Sequence, residues 1–106
     1  MLKSLILLTG LLAAPVSAAD GVTIEVHNFT VANGIAKAVI RVRNNLNAPI
    51  KNVFIDCAFL NSKKKAVGIG KANVSSIEAN ADTYEDAALV TQQEVKFVDC
   101  RVKSFD

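Results

Sequence analysis

The pair Asn33-Gly34 most constrains the fold of this chain, because it stands between two stretches in which apolar and polar residues alternate. Both central positions of a type I′ turn require positive φ, which Asn and Gly adopt at low cost, so the pair predicts a β-hairpin with a two-residue turn. Folding the chain about this turn sets Val31 opposite Ala36 and Phe29 opposite Ala38.

The hairpin also predicts an irregularity in its first strand. Continuing the same register would place the polar His27 opposite Ile40, on the face that should be apolar. A one-residue bulge at His27 and Asn28 restores the pattern, because it sets Val26 opposite Ile40 and Ile24 opposite Val42.

The stretch from Ile50 to Leu60 predicts the next strand and a central place for it. Asn44 to Pro49 precedes it as a turn rich in Asn. Apolar residues occupy both faces of the strand, interrupted by Asp56, so we expect at least partial cover on both sides. One face carries Val53, Ile55, Cys57 and Phe59, and the other carries Phe54, Ala58 and Leu60.

Three further strands are predicted with weaker signals. The segment from Val67 to Val74 contains two glycines, which suggests an edge strand or a bulge. After a loop from Ser76 to Asp82, the segment from Thr83 to Val90 favours a strand, although a short helix remains an alternative. Val95 to Lys103 closes the fold. Six or seven short strands with regular turns predict an all-β sandwich.

The first nineteen residues are typical of a cleaved secretory signal. Lys3 provides the positive start, Leu5 to Ala14 is an apolar stretch too short to span a bilayer, and Val16-Ser17-Ala18-Ala19 offers small residues for signal peptidase. A cut after Ala18 or Ala19 would leave a single domain, residues 20–106, without a membrane span, in the periplasm or outside the cell.

Two cysteines, Cys57 and Cys100, remain after this processing. In a small secreted chain an even number of cysteines predicts a disulfide. Both lie on apolar faces of predicted strands, as a bond inside the core requires. The bond would close a loop of 44 residues, which the chain-entropy description values at about 4 kcal/mol.

The stretch from Ile40 to Gly68 resembles the FxLYD-type domains of bacterial envelope proteins. They share a strand ending in Asn, a polar turn with Pro, a strand with an aromatic-aliphatic end, a Lys-rich turn and a Val-Gly strand. The residues that carry the resemblance here are Asn44, Pro49, Val53, Phe59, Asn61, Val67 and Gly68. It implies an immunoglobulin-like sandwich in a bacterial envelope or secreted protein, and it implies no shared catalytic activity.

The sequence offers little catalytic chemistry, so we expect a protein without enzymatic activity, cofactor or metal. His27 is the single histidine and could serve as a base or ligand, but a solvent-facing histidine is the simpler interpretation. Asp82, Glu85 and Asp86 could bind Ca²⁺, although a solvated loop explains them as well. Removing Lys3 leaves 11 basic and 10 acidic side chains, a balance that does not favour nucleic acid.

The leading hypothesis is therefore an interaction module that binds a protein partner in the cell envelope through a sheet edge or a loop. The candidate contacts are the basic turn residues Lys63, Lys64 and Lys65, and Ile69 on the glycine-bearing edge. The alternative is a small inhibitor or immunity protein that blocks a secreted hydrolase with this turn or with the segment from Asp82 to Asp86. A carrier of a small ligand would need a cavity for which the chain leaves little room.

Overall fold

A computed structural model describes residues 16–19 and 21–106 of the chain. Every regular element in them is a β-strand, which confirms the all-β prediction. The strands are β1 (Val16–Ala19), β2 (Val22–Ala32), β3 (Ile35–Asn44), β4 (Ile50–Leu60), β5 (Ala66–Ile77), β6 (Asp82–Val90) and β7 (Phe97–Ser104).

The strands form two antiparallel sheets that pack face to face. One sheet has the order β1-β2-β3-β6 and the other has the order β5-β4-β7. The chain passes between the sheets after β3, after β5 and again after β6, a Greek-key path typical of immunoglobulin-like sandwiches. The predicted small sandwich is confirmed, and β4 holds the predicted central position in its sheet.

The core lies between the two sheets and is built by the inward positions of each strand. Ile24, Ile40, Ile55 and Phe59 are among its largest fully buried side chains. In β3, and in β4 from Val53 onward, the buried residues recur at every second position, as the pleat of a strand requires. The face of β4 that carries Val53 and Cys57 is buried, as its pattern predicts.

The β2–β3 hairpin has the predicted turn, register and bulge. Asn33 and Gly34 both have positive φ, with values of 54° and 77°. Val31 pairs with Ala36, and the register shifts between Val26 and Asn28, which leaves His27 as the extra residue. Beyond the bulge, the predicted pairs Val26–Ile40 and Ile24–Val42 are both present.

A buried asparagine, Asn44, joins the end of β3 to two neighbouring segments. Its side chain is fully buried, and its amide nitrogen donates to the carbonyl oxygens of Ala48, Ile77 and Glu78 at 2.8, 3.2 and 3.1 Å. Its Oδ1 accepts a hydrogen bond from the backbone N–H of Leu46 at 2.9 Å. One side chain therefore holds the β3–β4 turn and the end of β5 together.

The later strands differ from the sequence prediction in extent. The strand beginning near Val67 continues to Ile77, so the predicted loop from Ser76 to Asp82 is wrong at both ends. The segment from Thr83 to Val90 is a strand, as favoured over a helix. Pairing with the long β3 extends β6, because its residues from Asp82 onward all find partners there.

Two glycines allow the sheets to approach each other beside the core. β5 is an edge strand of its sheet, as its glycines predicted. A Cβ at Gly70 would lie 2.7 Å from the carbonyl oxygen of Ala88, and one at Gly68 would lie 2.6 Å from the Leu89 side chain. A side chain at Gly70 would therefore push against the backbone of β6, whereas one at Gly68 would displace the Leu89 side chain.

The disulfide between Cys57 and Cys100 is present, as predicted. The two cysteines are directly opposite each other on β4 and β7, so the bond joins adjacent strands of one sheet. Both are buried in the core.

The predicted signal peptide falls mainly outside the described residues. Its segment 1–15 is not described, and its last four residues form β1, which pairs with β2 in the chain as translated. Cleavage after Ala18 or Ala19 stays a prediction.

Candidate functional site

The outer face of the β5-β4-β7 sheet carries apolar side chains that no described residue covers. Phe54, on the central strand, is 45% exposed. Ala58 and Leu60 on the same face are half-buried. The expectation of cover on both sides of β4 is therefore wrong for Phe54, because the two sheets supply only one inner face.

Edge strands extend this apolar surface on both sides of β4. Ile69 on β5 lies opposite Ala58 and is 49% exposed, and Phe97 on β7 lies opposite Leu60 and is 43% exposed. We call the set Phe54, Ala58, Leu60, Ile69 and Phe97 the outer apolar face. Exposed apolar groups that share one face mark an interaction surface more than single scattered ones do.

A surface groove of about 430 Å³ runs along this face. The small side chain of Ala58 leaves space between Ile69 on one side and the stem of Arg101 on the other. A second groove of about 310 Å³ lies beside Phe54, and both grooves are bordered by Asp56 and Lys103. The face is therefore contoured, and its polar groups stand beside its apolar ones.

The turn between β4 and β5 is organised by Asn61. Its Oδ1 accepts hydrogen bonds from the backbone N–H groups of Lys63 and Lys65 at 2.9 and 3.0 Å. Its backbone N–H donates to the carbonyl of Lys65, and its carbonyl accepts from the N–H of Lys64, both at 2.9 Å. These bonds fix the backbone from which three exposed lysine side chains project.

Lys64 has a backbone conformation that costs a lysine free energy. Its φ is +62°, in the left-handed region, which Asn and Gly occupy more readily than Lys. Its ammonium nitrogen lies 5.5 Å from the centroid of the Phe97 ring, within cation–π range. The turn therefore holds a cationic side chain beside Phe97 at a backbone position that lysine occupies less readily than glycine.

The charged residues on this face of the sheet are mainly cationic, and Asp56, Lys71 and Arg101 form a row across it between Phe54 and Ala58. Lys71 pairs with Asp56 at 3.5 Å, and Arg101 pairs with Asp99 at 3.2 Å. Both carboxylates of this face are therefore in ion pairs. Among the described residues, no carboxylate lies within 4.0 Å of Lys103 or of the three turn lysines. Glu94 stands near the turn, where its carboxylate accepts the Ser62 N–H at 3.2 Å. Hydrogen bonding to Ser62 holds the pKa of Glu94 below its usual value.

The structure brings two of the sequence-derived contact candidates together and adds aromatic ones. Ile69 and Lys64 border one surface, with Phe97 between Lys64 and the sheet. Phe54 and Phe97 were not singled out, because alternation alone does not show which apolar face of a strand stays uncovered. Gly68 and Gly70 on the inner face of β5 lie against β6, whereas Ile69 between them is exposed on the outer face.

The candidate catalytic and calcium-binding residues do not form a centre. His27 is exposed at the bulge and contacts the Tyr84 ring edge-on, with 5.2 Å between centroids. Strand alternation places Asp82 and Asp86 on the outer face of β6 and Glu85 on the opposite face. Within residues 21–106 no three His, Cys, Asp or Glu side chains are placed to hold a metal ion.

Asp82 instead belongs to an ion-pair network on the outer face of the other sheet. Arg41 Nε donates to Asp82 Oδ2 at 2.8 Å, and Arg43 Nη1 donates to Oδ1. Hydrogen bonds from Arg43, and next from Arg41, hold the pKa of the Asp82 carboxyl below its ordinary value. The same hydrogen bond to Asp82 raises the pKa of Arg41.

The lowered pKa of Asp82 predicts a change in acid stability. Because the folded pKa lies below the unfolded value, near 3.8, the stabilisation is complete above that value and is lost as pH falls through the folded pKa. We expect Asp82→Asn to melt below the parent protein at pH 7 and to approach it as the pH falls below about 4. Thermal melts from pH 7 to pH 2 measure this, and a constant gap in melting temperature would contradict it.

Comparisons with known proteins supply no relative for this chain. No protein-family model, curated protein or solved structure matches it. In the part of the chain that the structure describes, no helix is long and apolar enough to cross a membrane.

Proposed function

We propose that this protein is a non-enzymatic interaction module of the bacterial envelope, and that its outer apolar face binds a protein partner. The observation that carries the proposal is that Phe54, Ile69 and Phe97, each more than two-fifths exposed, lie on the same face of one sheet. Burying these three side chains against a partner would contribute hydrophobic free energy to binding, which a sheet face with only polar side chains could not do. The buried disulfide supports an oxidising compartment, and the FxLYD-like resemblance supports an envelope location.

The charges around the face favour a partner segment that combines apolar and acidic residues. The acidic groups of the face, Asp56 and Asp99, are already paired, while Lys64 and Lys103 have no carboxylate partner among the described residues. Carboxylates of a partner would fill that role and steer its approach. Affinity should therefore fall as salt rises, because exposed ion pairs are screened.

The direct test is site-specific photo-cross-linking in the envelope of the source cells. A photoreactive phenylalanine analogue at Phe97 is expected to give one discrete cross-linked product of higher mass. The matched control places the same analogue at Tyr84, which is 52% exposed on the opposite sheet. Equal products from both positions, or none from position 97, would refute the proposal.

The proposal also predicts which substitutions weaken the interaction without unfolding the protein. Ile69→Ser should weaken capture of the cross-linked partner about tenfold or more, whereas Val90→Ser, at the most exposed of the large apolar residues in the described part of the chain, should not. Competition binding with the captured partner measures both variants. Equal losses would mean that the outer apolar face has no special role.

Lys64→Gly separates binding from folding most sharply. Glycine adopts the observed φ of +62° without strain, so the variant should melt at the same temperature as the parent or higher. It loses the ammonium group above Phe97, so partner affinity should fall and its salt dependence should weaken. Lys37→Ala on the opposite sheet is the control for loss of one exposed cation. Unchanged affinity in Lys64→Gly would remove the basic turn from the proposed site.

The inhibitor alternative retains one candidate segment. The segment from Asp82 to Asp86 is part of strand β6, paired along its length with β3, so it does not form an insertable loop. The turn at Lys63–Lys65 is the exposed segment that remains for this role. A hydrolase as the cross-linked partner of position 97, inhibited by the protein in solution, would favour the alternative.

A further inference from the structure

The outer edge of β2 accepts an additional antiparallel strand. In the chain as translated, β1 occupies this edge, with Val16 opposite Glu25 and Ala19 opposite Val22. β1 also lies beside β7 of the other sheet, so the position is bordered on two sides. The acceptor segment is the regular part of β2, Val22 to Val26, which ends where the bulge begins.

The predicted signal cleavage would remove the strand that fills this position. A cut after Ala18 or Ala19 leaves at most Ala19 and Asp20 ahead of Gly21, too few to form a strand again. The backbone N–H and C=O groups that β1 satisfies would then face solvent on an edge of the sheet. Bare edges of this kind pair with other strands unless they are blocked.

We infer that the processed protein forms a two-fold dimer in which the β2 edges of two copies pair antiparallel. Every processed copy carries the same vacant edge, and a two-fold axis lets one surface pair with itself. Residues opposite each other in an antiparallel pair share a face of the sheet, so a pairing centred on Ile24 sets Val22 opposite Val26 of the second copy.

Side-chain chemistry selects this register over its neighbours. Centred on Ile24, the outer face sets Thr23 opposite Glu25 of the second copy, and the inner face sets apolar residues opposite apolar ones. Centring the pair on Glu25 would oppose two carboxylates, which destabilises a sheet. Glu25 also lies 3.8 Å from Arg41 of its own copy, which compensates its charge at the joint.

The test measures the oligomeric state of the protein purified after processing from its own precursor, with its first residue identified by mass spectrometry. Sedimentation equilibrium is expected to show a concentration-dependent dimer. A chain that begins at Val16, made behind a different signal sequence, keeps β1 on the edge and is expected to be a monomer.

Two substitutions at one position test the register. Thr23→Glu would create two Glu–Glu pairs in the dimer, one between position 23 of each copy and Glu25 of the other. The repulsion should raise the dimer dissociation constant about tenfold or more. Thr23→Lys would oppose the same carboxylate favourably and should leave the constant unchanged or lower. Both replace the hydroxyl that accepts a hydrogen bond from Asn45, and they place opposite charges at the same position. Thermal melts check that both remain folded.

Three results would overturn the inference. The processed protein could remain monomeric at every concentration, or the chain that begins at Val16 could dimerise as strongly. Equal changes in the dimer dissociation constant for Thr23→Glu and Thr23→Lys would exclude the register centred on Ile24. A processed protein that stays monomeric but binds a different envelope protein in competition with a Val-Ser-Ala-Ala peptide would show that the edge serves another partner.

Discussion

Asn44→Asp should strongly destabilise the folded protein, because Asn44 is the one buried polar side chain among the described residues. The substitution keeps the Oδ1 that accepts the Leu46 N–H but replaces the donating amide with an oxygen. That oxygen would face the carbonyl oxygens of Ala48, Ile77 and Glu78 at about 3 Å in a fully buried site. We expect a loss of roughly 3 kcal/mol or more, because a buried polar group is left facing others of its own kind.

Asn44→Ala provides the comparison without charge or repulsion. It removes the donor and the acceptor together, so we expect a smaller loss of about 2 kcal/mol. The side chain of the neighbouring Asn45 is exposed and bonds only to the Arg43 and Thr23 side chains, so Asn45→Ala should change stability by no more than about 0.5 kcal/mol. Urea unfolding measures all three. Equal small losses at both positions would show that the Asn44 hydrogen bonds do not hold the turn to β5.

The β2–β3 hairpin shows what local sequence determines in this fold. Its turn type follows from Asn33-Gly34, and its bulge follows from the need to keep His27 off the apolar face. Both causes act between residues close in the chain, so the register could be predicted pair by pair. The central place of β4 was also predicted, from apolar residues on both of its faces, although only the inner face is fully covered.

Features that depend on distant segments escaped prediction. Asn44 was identified only as part of a turn, because its partners Ile77 and Glu78 lie more than thirty residues away. The exposure of Phe54 depends on the absence of a third layer among the described residues, which no pattern within β4 reveals. The aromatic residues of the candidate site, Phe54 and Phe97, were missed for the same reason. Its basic residues were recognisable in the sequence as the three consecutive lysines, Lys63 to Lys65.

Removing the Cys57–Cys100 disulfide should lower the free energy of unfolding by about 2 to 5 kcal/mol. A domain of this size has a total stability of only about 4 to 13 kcal/mol, so the loss is a large fraction of it. The bond joins residues already opposite each other on paired strands, so the folded sheet does not need it to set the register. Its effect should therefore come mainly from the unfolded chain, in which it closes a long loop.

This origin of the effect can be measured. Reduction of the parent protein keeps both sulfur atoms in the core, whereas Cys57→Ala with Cys100→Ala also removes their packing. We expect the reduced protein to be more stable than the double variant. In both, the free energy of unfolding should depend more steeply on urea than in the oxidised parent, because an unfolded chain without the cross-link exposes more surface. Reductant should leave the double variant unchanged, which controls for other effects of the reagent. An unaltered melting temperature of the parent under reductant would show that loop closure contributes nothing, and that the strand pairing of β4 with β7 holds this sheet together by itself.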